Sequence, residues 1–157
     1  FNKYEKIKAE GHILVYKAGK IEIQQEIFDR NLKTEQIKKE LSELKVEYSE
    51  KEFVFKGKYL QKNREKGDRD NLTGIVVLLM ATGQKEYDGW KVLDKDTREH
   101  VYLKLSLNDL KIMALHMQEQ VTKALKTESS LIEKLETLTD EELKNYKAAE
   151  EFEKLWN

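Results

Sequence analysis

Cysteine and proline are both absent from the 157 residues. Without cysteine there is no disulfide, no thiolate zinc site and no cysteine nucleophile. Without proline no helix is interrupted, and disorder of the proline-rich sort is excluded. No apolar run approaches ~18 residues, so no helix that spans a bilayer is expected. An excess of one charge sign is missing too: 29 basic and 30 acidic residues leave a net charge of -1. A field that weak does not draw a chain onto DNA, RNA or an anionic membrane, and no basic stripe interleaved with aromatics is visible. Nor is the first residue Met. Phe1 reads as the start of a processed or truncated fragment, with any targeting segment outside it.

What is present is charge in abundance. Charged residues make up 38% and apolar ones 39%, where an average globular chain carries about a quarter charged. A core exists, then, under a solvated lattice of Lys and Glu. The length favours one domain and at most two small ones.

Residues 11–25, GHILVYKAGKIEIQQ, alternate Ile13, Val15, Ile21 and Ile23 with more polar neighbours around Ala18-Gly19, which predicts a hairpin. Residues 27–49 place Ile37, Leu41, Leu44 and Tyr48 on one face at helical spacing; Thr34 offers a later N-cap. Residues 52–60, EFVFKGKYL, predict a second hairpin, with Phe53 and Phe55 on one face, Val54 on the other and a turn at Lys56-Gly57. A third spans 88–105. Trp90 and Val92 share a face there, Asp94 to Thr97 form a polar turn, and Val101, Leu103 and Leu105 return.

KGDRDNLTGIVVLLMATGQ, residues 66–84, looks most like a site. Read as structure, Asp68 or Asp70 caps a helix through Leu72, Ile75, Val76, Leu79 and Met80, and Gly83 closes it. A buried strand over 75–80 is the rival reading, and Gly74 costs the helix about 1 kcal/mol. Read as a calcium loop from Asp68, the fifth, sixth and twelfth positions are Leu72, Thr73 and Leu79, none of which fits. Read as a phosphate loop, Gly67 stands alone. Helix capping is the stronger reading. Asp94 and Asp96 fail the calcium test at Arg98 and belong to a hairpin turn. His12, His100 and His116 lack metal-binding spacing; His116 reads as a core-edge histidine. No serine sits in a nucleophile elbow. A metal-assisted hydrolase on Asp68, Asp70, Asp94 and Asp96 would need two loops to converge.

From Ser106 onward the chain reads as helix. Ser106 and Asp109 form a capping box. Leu110, Ala114, Met117, Val121, Ala124, Leu131 and Leu135 follow as a heptad-like stripe interrupted at Glu128. Thr139 and Glu142 then cap a last helix, TDEELKNYKAAEEFEKLW, with Leu143, Tyr146, Phe152 and Leu155 able to face inward. The stripe predicts a helical hairpin or coiled coil.

The order FVFKGKYLQ, DRDNL, YDGWKVLDKDTREHVYLKLS and LNDLKIMALHMQEQVTKALKTESSLIEKLETLTDEEL resembles a domain of unknown function found in phage and prophage tail-fibre-associated proteins. The matching features are Gly57 in an aromatic hairpin, Asp68 to Leu72 opening a helix, Trp90 before the turn Asp94 to Thr97, and His116 in a long helix. The resemblance covers about residues 50–147, and the order carries it more than any one motif. The chain departs from the pattern in being rich in Lys and Glu and in the inserted Glu65-Lys66. The resemblance implies a virion or, for a prophage product, a bacterial cytoplasmic setting, and supplies no catalytic residues.

The expectation is an α+β fold: short antiparallel hairpins packed on the apolar helix 72–80, then a long helical hairpin over 106–156. Residues 1–49 would form a connector and 50–157 the main domain. The function expected is a non-enzymatic structural or assembly module of a tail. No cofactor, metal, nucleic acid or membrane partner is expected. Self-association, or association with other tail proteins, would run along a seam of Leu110, Met117, Val121, Leu131 and Leu135, which Val121→Asp would break. The alternative is a ligand- or carbohydrate-binding domain using Tyr59, Tyr87 and Trp90, weighed against the same aromatics as core.

Overall fold

The computed structural model describes residues 12–17, 19–26 and 28–157. The fold is α+β. In chain order the elements are β1 (His12–Lys17), β2 (Lys20–Glu26), α1 (Arg30–Ser49), β3 (Phe53–Phe55), β4 (Tyr59–Gln61), α2 (Asp70–Thr82), β5 (Glu86–Asp94), β6 (His100–Ser106), α3 (Leu107–Leu135), α4 (Asp140–Lys144) and α5 (Ala148–Trp156). They divide into two compact units, one of the residues up to Leu44 with Thr127–Asn157 and one of Lys45–Lys126. The boundary therefore falls inside α1 and α3, not at residue 50 as the sequence suggested. A helix that buries different stretches of one stripe in two places gives no compositional mark where it passes from one to the other.

In the first unit β1 and β2 form the expected antiparallel hairpin, with Tyr16 opposite Ile21 and Lys17 opposite Lys20. Gly19 turns it at φ 78°, a left-handed conformation open to glycine at little cost. The facing of Ile13, Val15, Ile21 and Ile23, and Ala18 in the turn, lie outside the described residues. α1 begins at Arg30 because the Asp29 carboxylate accepts from the Leu32 N–H at 3.0 Å, an N-cap. Thr34 is not the cap; its hydroxyl donates back to the Arg30 carbonyl at 2.8 Å, inside the helix. Ile37, Leu41, Leu131, Leu135, Leu143, Ala148 and Phe152 are buried. The Thr139–Glu142 capping box is present. Arg30 extends to the Asp140 carboxylate at 2.8 Å and the Leu138 carbonyl at 2.6 Å. The Tyr146 hydroxyl is buried with no partner among the described residues, and burial, with Glu151 beside it, pushes its pKa up to about 12. Leu155 does not face inward: it is exposed.

The second unit is built on a four-stranded antiparallel sheet in the order β3-β4-β5-β6. Phe55 pairs with Tyr59, Leu60 with Leu93 and Val92 with Val101. Alternation sends Phe55, Trp90, Val92 and Leu105 to one face, where Leu72 and Leu79 of α2 and Leu110, Met113 and Met117 of α3 complete the core. Each such side chain contributes roughly 1.5–3 kcal/mol when fully buried. The register slips between Asp88 and Trp90 at Gly89, φ 97°, a bulge that restores Trp90 to the core face. The third hairpin turns as expected: one Asp94 carboxylate oxygen accepts from the N–H groups of Asp96 and Thr97 at 2.9 and 3.0 Å. Ser106 and Asp109 exchange capping bonds at 3.2 and 3.0 Å. α2 is a helix, not a strand, and Gly83 closes it in the left-handed conformation at φ 71°.

Candidate functional site

The turn before α2 is set by polar contacts. Asn63 is fully buried. Its amide donates to the Ser49 and Met117 carbonyls at 2.9 and 3.2 Å, so one side chain ties the end of α1 to the middle of α3. Arg69 returns to the carbonyl and the side-chain oxygen of Asn63. Gln120 supports the same place, donating to the Tyr48, Ser49 and Lys51 carbonyls, which answers acceptors left open at the helix C-terminus.

Neither Asp68 nor Asp70 caps α2, which corrects the sequence reading. The cap position is Arg69, already helical, with no side-chain capping bond. Gly67 at φ 109° reverses the chain and turns Asp68 back over Arg64. There the Asp68 carboxylate accepts from the Arg64 backbone N–H at 3.0 Å and from its guanidinium at 2.7 and 3.2 Å. A charge-assisted two-oxygen pair outcompetes a capping bond to a neutral N–H. Asp70 remains exposed.

Beside this turn lies a groove of about 820 Å³. One wall is α2, through Asn71, Gly74, Ile75 and Leu78; the other is β5, through Tyr87 and Gly89 to Leu93; Gln61, Lys62 and Arg64 lie at the end where the chain leaves the sheet. Gly74 now has a physical setting. A Cβ there would meet nothing within 4 Å, so no close packing demands glycine, and its absent side chain widens the groove.

α2 carries a second feature, on another side of the helix. Val77 and Met80 are 59% and 61% exposed, and helical spacing sets them on a side of the helix turned away from Leu72 and Leu79. The helix is apolar almost all round, yet Leu72 and Leu79 are its buried residues.

The expected site residues fall apart on this frame. Of the seam, Leu110, Met117, Leu131 and Leu135 are 0%, 1%, 2% and 1% exposed within the single chain and Val121 is half-buried. The first two belong to the sheet unit and the last two to the other. A stripe already covered by its own chain has no surface left for a second one. Trp90 is 6% exposed and donates its indole N–H to the Gln61 side chain at 2.8 Å, so it is core. Tyr59 packs against that core, with the Lys58 ammonium 5.8 Å from its ring. Tyr87 does line the groove. His116 stands at the core edge as expected, its ring centroid 4.2 Å from that of Phe53.

The four aspartates are engaged separately. Asp68 and Asp70 line the groove, while Asp94 and Asp96 do not. The turn N–H groups hold the Asp94 carboxyl below its usual range. No cluster of His and acidic side chains fit to hold a metal occurs among the described residues. Nor does any helix among them have the length and apolarity to cross a membrane. Compared with protein-family models, curated proteins and solved structures, the chain matches none.

The contributions of Asn63, Gln61 and Gln120 were not read from the sequence. A buried amide is recognised only by the carbonyls it meets, and those come from segments distant along the chain.

Proposed function

We propose that this chain is a non-enzymatic structural or assembly module that associates with another copy of itself through the outer face of α2. The exposure of Val77 and Met80 on an otherwise apolar helix carries the reading. A helix that is apolar all round belongs in an interior or an interface. A second copy supplies a matching helix, because a two-fold pair uses the same patch on both subunits. The seam thus moves from α3, whose stripe is covered, to α2. The tail setting, and with it a virion or bacterial cytoplasmic location, rests on the resemblance across about residues 50–147. The carbohydrate-binding alternative loses support from Trp90, whose ring is not presented for stacking.

Light scattering behind a sizing column tests the reading. The expected result is a closed oligomer for the parent chain and a monomer for Val77→Asp with Met80→Asp. A parent chain that stays monomeric up to roughly 100 µM, far weaker than micromolar affinity, overturns it.

A further inference from the structure

We infer that the groove between α2 and β5 is a docking site for an extended polypeptide segment, added as a strand to the open edge of β5. Pairing between β4 and β5 stops at Leu60 opposite Leu93, while β5 runs back to Glu86. From Glu86 to Val92 the strand has β6 on one side and, among the described residues, no strand on the other. The parity of the edge follows from the hairpin. The Asp94 N–H donates to the Glu99 carbonyl at 2.8 Å and the Asp94 carbonyl accepts from the Arg98 N–H at 2.9 Å, both towards β6. One residue on, Leu93 turns to β4; two further, the peptide groups of Lys91 turn to the same side, where β4 has ended. They face the groove.

That geometry names the chemistry of the occupant. Backbone donors and acceptors left on a strand edge are matched by another extended backbone, and a groove beside the edge reads alternate side chains. Towards α2 the walls are Ile75, Leu78 and Tyr87, with the space beside Gly74 open; this side takes apolar side chains. On the other side stand Lys62 and Lys91, neither in an ion pair among the described residues, whereas Asp68 is held by Arg64. The occupant is therefore an extended segment with alternating apolar and acidic residues. Asp70 at the rim disfavours an acid at that end. Strand addition also explains why the helix keeps a glycine at Gly74, where a side chain would occupy the groove. The site is separate from the outer face of α2, since Val77 and Met80 do not line it.

The test is to pan a displayed library of random twelve-residue peptides against the full chain and synthesise the enriched sequences. Fluorescence anisotropy then measures their affinity. Alternating apolar and acidic sequences are expected. N-methylation at residues of one parity weakens binding at least about tenfold, the loss of one backbone bond with its partner left unpaired, and methylation at the other parity does not. Leu78→Lys and Lys91→Glu, both exposed positions that leave the fold intact, each weaken binding by about tenfold. An unenriched library overturns the proposal and leaves the Gly89 bulge and Lys91 as protection of a bare edge. Binding that is indifferent to the parity of N-methylation, or that Tyr102→Pro on β6 abolishes while Lys91→Glu does not, also overturns it. Self-association through Val77 and Met80 is read separately by light scattering, so either result can fail alone.

Discussion

Helices α2 and α3 invert the usual relation between composition and burial. α2, DNLTGIVVLLMAT, is apolar without interruption from Ile75 to Ala81 yet buries Leu72 and Leu79. α3 is studded with Lys and Glu along 29 residues, yet Leu110, Met113, Met117, Ala124, Leu131 and Leu135 are all buried. Hydrophobic content says how much a helix could bury, while the partners it meets decide how much it does. α3 presents a narrow stripe that is met along its length. α2 meets the core on one side, borders a groove on a second and leaves a third uncovered. The surplus on α2 is where function is to be sought.

Truncation in the met stripe gives the largest effect. Leu110→Ala or Met117→Ala removes a fully buried side chain and should cost about 2–5 kcal/mol in urea unfolding. A loss below about 1 kcal/mol at both sites would mean that the α3 stripe does not carry the stability of the core.

Next is the polar tie that joins α3 to the turn before α2. Asn63→Ala takes one donor from the Ser49 and Met117 carbonyls and one acceptor from the Arg69 guanidinium, while Gln120 still meets Ser49 and the residue 63 backbone carbonyl still meets Arg69. The expected cost is roughly 1–3 kcal/mol, with faster amide exchange through residues 62–70. Asn63→Leu, similar in size, should not restore stability, because it fills the space without returning the amide bonds to Ser49 and Met117.

The start of α3 supplies the pH dependence. Lys56, bonded to Asp109 at 3.0 Å, is the main cause of a carboxyl held below its usual range, aided by the Ser106 capping bonds. A depressed folded pKa gives stability that is fully present above the unfolded value, about 3.9, and is lost as pH falls through the folded one. Asp109→Asn should cost about 1 kcal/mol at neutral pH and flatten the loss of stability in acid. An unchanged acid limb in the variant would assign that limb to other carboxylates.

On α2 itself the effects on folding are small and of opposite sign. Gly74→Ala should stabilise by roughly 0.5–1 kcal/mol, since the helical backbone accepts alanine and the methyl meets open space. Val77→Asp should change monomer stability by no more than about 0.5 kcal/mol, while shifting the mass in solution. Destabilisation by several kcal/mol would place Val77 in a core and remove the contrast between the two helices.

Much of this architecture was legible along the chain. Hairpins at Gly19, Gly57 and Asp94 to Thr97, the helix closed by Gly83, and the Ser106 and Thr139 capping boxes all depend on neighbours within a few residues. Such short-range chemistry is written in sequence. The cap at Asp68 failed because a competitor, Arg64, sat just as close with a full charge, and the cap at Asp70 failed because that residue already lies in the first turn of the helix. The seam failed for a different reason. Periodicity gives the apolar face of α3 but not whether its own chain or another covers it.

What the sequence alone determined is the identity and type of the elements, because alternation, helical spacing and caps are local. Tertiary structure decided the rest: that Asn63 and Gln61 are buried ties, that Trp90 is core, that the α3 stripe is closed within the chain, and that β4 ends early enough to leave β5 an edge without a strand beside it among the described residues. Each depends on which distant segments meet. Burial and hydrogen bonding between such segments are set by the summed packing of the whole chain, and no window of neighbouring residues contains that sum.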